Sequence, residues 1–244
     1  MIILFINNVC IKFTNKVIFL DIIYMHHTVK NLVDIKNNIK TYLDELDIKI
    51  NPKIIAVSKT FEIDKILPVL EYGHIDFGEN KVQEAVKKWT EIKKKNLKIK
   101  LHMIGKLQSN KVKHAVQLFD YIHSVDNQKL AKKIAEEQNK INRKIKIFLQ
   151  INIGDENQKS GINKDNINQL VSYCREIDLN LIGLMCIPPA NIDPKFYFEE
   201  MNKLNKELGF NELSMGMSSD YLIAIKHSST FLRIGSSIFG KRAK

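Results

Sequence analysis

Lys59 closes the apolar, β-branched run Ile54-Ile55-Ala56-Val57-Ser58-Lys59-Thr60, so its amine emerges at the mouth of a buried strand. Partial desolvation there weakens an amine's preference for its charged form and frees it to attack an aldehyde. A strand-end lysine directed at water is the commoner case for a lone lysine. Other groups change that balance. Arg233, which alone would read as half of a strand-end ion pair, is followed after Ile234 by Gly235-Ser236, and Asn80 ends a second short apolar stretch.

The elements that must position these groups follow a repeating pattern. From Ile54 onward, apolar pieces ending in polar residues recur at Ile75 to Asn80, Leu101 to Gly105, Tyr121 to Asp126, Ile145 to Asn152, Leu179 to Ile187, Glu212 to Met217 and Thr230 to Gly235. With the first, that makes eight strands separated by helical segments, one of them over Asn127 to Asn139. Such alternation predicts an α/β protein of parallel βαβ units, here a single-domain (β/α)8 TIM-type barrel with its active groups at the carboxyl ends of the strands. A doubly wound open sheet is the alternative. No Gly-x-Gly-x-x-Gly turn follows the first strand, which leaves a dinucleotide site without support. The 244 residues are close to the roughly 250 typical of a barrel.

Seven segments occur in the order of the pyridoxal phosphate homeostasis protein family, which is similar to the N-terminal barrel of alanine racemase. They are Ala56 to Thr60, Phe77 to Asn80, His102 to Lys111, Lys159-Ser160-Gly161, Gly183-Leu184-Met185, Leu213 to Ser218 and Arg233 to Gly240. Each alone is weak; seven in order are specific. The resemblance covers residue 28 to the end. It implies a protein that holds pyridoxal 5'-phosphate as an internal aldimine on Lys59, with Arg233 facing the pyridine nitrogen. A permanent cation there keeps that nitrogen unprotonated and weakens the cofactor as an electron sink. The loops after the seventh and eighth strands of such barrels commonly cradle phosphate, and Ser218, Gly235 and Ser236 stand in them, with Gly216 alongside. Ordinary turns are also rich in Gly and Ser. Asn80 and Met185 resemble positions that line the cofactor, the first as a polar contact and the second by packing. Two positions depart from the family pattern: Lys106 where a neutral residue, proline or histidine is usual, and Ser236 where threonine is frequent.

The resemblance further implies a role in intracellular vitamin B6 homeostasis with little catalysis and no catalytic residues to assign. Amino-acid racemisation, the alternative, needs acid–base groups on both faces of the α-carbon. In alanine racemase the second is a tyrosine of a C-terminal β domain, and that domain is not expected in a sequence that stops at Lys244. Recipient apoenzymes are conceivable partners, and a monomer or weak dimer is expected.

A third class, nucleic-acid binding, is raised by 38 Lys+Arg against 27 Asp+Glu and a net charge of +11. The lysines are spread through Ile- and Asn-rich helices, however, with no zinc-finger spacing or aromatic-interleaved basic stripe, and read as solvated faces. Cys10, Cys174 and Cys186 are too widely spaced for a disulfide framework or zinc site, and the last two read as packing residues of a helix and a strand. His102, near a strand end, is placed to face the mouth, and His26-His27 read as linker; no metal constellation emerges. The first 27 residues read as an apolar, poorly ordered appendage before a helix from Thr28 to Asp47. Lys12, Lys16 and Asp21 keep their apolar runs below the ~18 residues of a spanning helix. A cytoplasmic location is expected, with organellar targeting by this segment as the alternative.

Overall fold

A computed structural model describes residues 3–6, 9–12, 25–156 and 160–241. Strands β1 (Ile3–Ile6) and β2 (Val9–Lys12) form an antiparallel ribbon of their own within the N-terminal segment. The rest of that segment up to residue 24 lies outside the described residues, as does Lys159.

Eight parallel strands then close into a barrel. They are β3 (Lys53–Val57), β4 (Asp76–Glu79), β5 (Lys100–Met103), β6 (Tyr121–Val125), β7 (Lys146–Ile151), β8 (Asn180–Cys186), β9 (Glu212–Met217) and β10 (Phe231–Ile234). Closure is made by β10 against β3, with Arg233 opposite Ile55 and Ile234 opposite Ala56. The eight anticipated strands are these eight: β9 has the anticipated bounds, β3 and β5 begin one residue earlier, and the others are trimmed at their ends. Helix α1 (His27–Glu45) precedes the barrel, and α2 (Ile63–Glu71), α3 (Val82–Lys95), α4 (Val112–Leu118), α5 (Gln128–Lys140), α6 (Ile167–Glu176), α7 (Lys195–Glu207) and α8 (Tyr221–Lys226) connect successive strands. A one-turn helix, α9 (Ser236–Phe239), follows the last strand.

Strand alternation divides the core in two. Ile54, Ala56, Phe77, Leu101, Met103, Ile122, Leu184 and Leu232 face outward into the shell of helices, while Ile55, Tyr121, Phe148, Met185 and Phe231 pack inside the barrel. Burial on both faces explains why the strands read as nearly continuous apolar runs. Fully burying each large side chain contributes roughly 1.5–3 kcal/mol. Two glycines in the strands and loops are there for space. A Cβ on Gly183 would lie 1.8 Å from the Glu212 carbonyl oxygen, and one on Gly105 would lie 2.4 Å from that of Asn80.

Local signals fix the helix ends. Asn127 caps α5 by accepting from the Leu130 N–H at 2.9 Å. Lys93, Lys94 and Lys95 crowd the last turn of α3, where the helix dipole favours cations. His26 is no linker residue: its ring Nδ1 accepts from the Thr28 N–H and caps α1. Cys174 in α6 and Cys186 in β8 are buried packing residues, and burial pushes both thiols up to about 12.

Candidate functional site

Strand register gathers the sequence-selected residues at one end of the barrel. Val57 pairs with Gly78, so Lys59 and Asn80, each two residues past that pair, stand at equivalent positions at the ends of neighbouring strands. Ile234 pairs with Ala56, which sets Gly235 beside Val57 and Ser236 beside Ser58. A Cβ on Gly235 would approach the Val57 Cβ and carbonyl oxygen to 3.3 and 3.4 Å, so backbone meets backbone closely at this seam. The Ser218 hydroxyl accepts from the Ser237 N–H at 3.3 Å and ties the loop after β9 to the start of α9. Lys59, Asn80, Ser218 and Gly235 are half-buried, Ser236 is exposed, and Lys106 is exposed. Gly216, with φ of +88°, makes room for a helix instead, since a Cβ there would lie 2.6 Å from that of Ala224 in α8.

The turn that carries Lys59 is clamped from below. Glu79, fully buried at the end of β4, accepts through Oε1 from the Ser58 hydroxyl (2.7 Å), Lys88 Nζ (2.9 Å) and Trp89 Nε1 (2.9 Å). Lys88 also donates to the Ser58 carbonyl at 2.9 Å and to Glu84, whose Oε1 accepts from the Thr60 N–H at 2.7 Å. Both neighbours of Lys59 are therefore held by side chains of β4 and α3. Thr60 has φ of +66°, a left-handed conformation unusual for a β-branched residue and sustained here by these contacts. None of Glu79, Glu84 and Lys88 was singled out from sequence. Their signal was present: Glu79 lies at an outward-facing strand position, which is otherwise apolar, and Lys88-Trp89 follows on the next helix.

Arg233 lies inside the barrel, 5% exposed. Its Nη1 donates to the Ser214 hydroxyl at 2.7 Å and its Nη2 to the Cys186 carbonyl at 2.8 Å. Burial lowers its pKa, yet an arginine remains a cation. No carboxylate lies at ion-pair distance from it among the described residues, so it is not the barrel-mouth ion pair of the simpler reading. Met185, fully buried, packs in the interior cluster two strands away on β8, opposite Ser214 of the intervening β9 in the register.

His102 does not face the mouth. Its neighbours Leu101 and Met103 point to the helices, so alternation turns its ring into the barrel, stacked on Tyr121 with ring centroids 4.2 Å apart. There it meets Asp76 on one side and His123 on the other, each at 3.0 Å. Burial lowers the pKa of His102 and takes that of His123 well below its ordinary value, with the neighbouring His102 and Arg233 adding to the effect.

The residues fit a phosphorylated aromatic aldehyde: a supported lysine, a buried guanidinium, and a close backbone seam at Gly235. The model of the alanine racemase N-terminal domain family matches residues 31–243. A pyridoxal phosphate homeostasis protein of Pasteurella multocida is 34% identical over 225 residues, covering 87% of this chain and 97% of that relative. PipY of Synechococcus elongatus PCC7942, solved with pyridoxal phosphate bound, is 32% identical with a TM-score of 0.69, covering 83% of this chain and all of that one. Alanine racemase of Clostridium difficile, at 14% identity and a TM-score of 0.67, shares the fold; the match covers 89% of this chain and 57% of the racemase. Among the described residues no helix is long and apolar enough to cross a membrane.

Proposed function

The chain belongs to the pyridoxal phosphate homeostasis protein family, built on the alanine racemase N-terminal domain, and from that premise we propose that residues 28–244 bind pyridoxal 5'-phosphate covalently and reversibly through Lys59. The protein takes part in vitamin B6 homeostasis without substantial catalysis. When bound, the cofactor supplies an aldehyde to the lysine and a pyridine ring able to draw electrons. The observation that carries the reading is the clamp of Glu79, Lys88 and Glu84 around the Lys59 turn at the end of β3, the strand that Arg233 flanks.

The other residues of the site divide between the ring and the phosphate. Arg233, which only donates hydrogen bonds, faces the pyridine nitrogen and holds it unprotonated, which disfavours carbanion chemistry. Ser218, Gly235 and Ser236 surround the phosphate, where the Gly235 seam permits backbone approach and the serines add donors. Asn80 offers a polar contact from the neighbouring strand end, and Met185 packs beneath the ring. The likeness to alanine racemase is one of fold, and the named relatives favour a holding role over an amino-acid racemase. The protein works in the cytoplasm as a monomer or weak dimer, and apoenzymes that need pyridoxal phosphate are its natural recipients.

The test is an absorbance titration with pyridoxal phosphate in the native chain and in Lys59→Ala. The variant loses the band of the covalently held cofactor; an undiminished band in the variant would overturn the assignment.

A further inference from the structure

A line of polar contacts crosses the barrel interior beneath the cofactor site. Asp76 Oδ1 lies 3.0 Å from His102 Nε2, and His102 Nδ1 lies 3.0 Å from His123 Nε2. His123 Nδ1 is 2.9 Å from the Ser214 hydroxyl, which is 2.7 Å from Arg233 Nη1. The five residues come from five different strands, β4, β5, β6, β9 and β10. His102, His123 and Ser214 are fully buried, Arg233 is nearly so, and Asp76, at the start of β4, retains the most exposure.

The protons along this line can be assigned. Arginine only donates, so Ser214 Oγ accepts from Nη1 and has its one proton for His123 Nδ1. His123 then carries its proton on Nε2 and donates to His102 Nδ1. His102 in turn carries its proton on Nε2 and donates to the Asp76 carboxylate. Reversing the neutral line would set a bare His102 nitrogen against a carboxylate, two acceptors face to face. Adding a proton would place a second buried cation in the row that ends in Arg233, which desolvation opposes. Stacking fixes the ring planes, His102 on Tyr121 and His123 on Phe148, with Phe231 close to both. The other charge bearing on His102 from the barrel base is Lys53, with Asp120 on the acidic side.

We propose that Asp76, His102, His123 and Ser214 are positioning residues for Arg233, and that their directed hydrogen bonds link its buried cation to the carboxylate at the opposite end of the line. Its relevance to the cofactor rests on the reading that Arg233 faces the pyridine nitrogen. Ser214 and the Cys186 carbonyl engage two guanidinium nitrogens and fix its plane. The Ser214 hydroxyl is held in the accepting orientation because His123 takes its proton, and His123 is available to do so because Asp76 sets the tautomer of His102. A residue at the start of β4 thereby reaches, through three intermediates, the group that faces the cofactor.

The experiment is side-chain ¹⁵N NMR of the histidines and arginines in the full-length chain without cofactor, for the native protein, Asp76→Asn and Asp76→Ala. In the native protein both rings are expected neutral with the proton on Nε2 from pH 6 to 8. Asp76→Asn, which keeps an acceptor, retains this pattern. Asp76→Ala mixes the tautomers of His102 and His123, and hydrogen exchange of the Arg233 guanidinium rises about tenfold, the equivalent of one hydrogen bond to a charged group. A native His123 protonated on Nδ1, or His123 and Arg233 signals unchanged in Asp76→Ala, would overturn the proposal. Since no cofactor is present, the outcome is independent of whether Lys59 binds it, which the Lys59→Ala titration decides separately.

Discussion

Replacing Lys88 by methionine should loosen the Lys59 turn and weaken the fold by a calculable amount. Lys88 is 9% exposed and pairs at 2.9 Å with a fully buried Glu79. The variant leaves that carboxylate with only the Ser58 and Trp89 donors, and its Oε2 already lacks a hydrogen bond among the described residues. The Ser58 carbonyl also loses a donor. Breaking a buried pair by removing one partner costs about 3–5 kcal/mol. For a chain of this size each kcal/mol lowers Tm by about 2–4 °C, so the transition should fall by roughly 6–20 °C. Lys88→Met/Glu79→Leu removes both charges and should recover part of the loss, because no buried charge is stranded, although the Trp89 indole N–H loses its acceptor. Urea denaturation gives the stabilities, and titration with pyridoxal phosphate reads the turn, whose affinity should drop in the single variant. A Lys88→Met protein within about 1 kcal/mol of native, less than the cost of stranding a buried charge, would refute the reasoning; so would a double variant as unstable as the sum of its singles.

Further outcomes follow from the same contacts. Gly235→Val should weaken pyridoxal phosphate far more than pyridoxal, since the β10–β3 seam serves the phosphate; equal losses in parallel titrations would count against that cradle. Gly183→Ala drives a methyl group into the Glu212 carbonyl and should cost about 1–3 kcal/mol or more, so an unchanged urea midpoint would contradict the packing described. Burial lowers His74 to about 4. Between that value and the ordinary 6.5 the unfolded chain binds more protons, so about 3 kcal/mol present above pH ~6.5 is lost as pH falls toward 4. Burial lowers His102 and His123 in the same direction. Stability equal at pH 7.5 and pH 5 would contradict this. Removing residues 1–24 should leave cofactor binding unchanged, whereas removal through His27 also deletes the α1 cap and costs about 1 kcal/mol; a midpoint shared by the two truncations would show that the His26 cap contributes nothing.

Much of this fold is legible in the chain because its strands are buried on both faces. Ile54 to Val57 and Ile147 to Leu149 need apolar residues toward helices and interior alike, and such runs mark themselves. Lys59 is legible for the same reason: a polar group directly after a buried strand must stand at its mouth. The clamp and the interior line are harder to read. Glu79 and Lys88 meet because α3 returns over β4, a contact nine residues apart that resembles an ordinary surface pair in sequence. Asp76, His102, His123, Ser214 and Arg233 are brought together only by barrel closure and register, across as many as 157 residues of chain from first to last. A local clue was present at His102, Ser214 and Arg233, whose apolar neighbours on both sides turn them inward and, for His102, not to the mouth.

The most direct measurement is borohydride reduction of the full-length protein loaded with pyridoxal phosphate, followed by peptide mass mapping. The account predicts one reduced adduct, on Lys59. An adduct on Lys106 or Lys111 with Lys59 unmodified would contradict it.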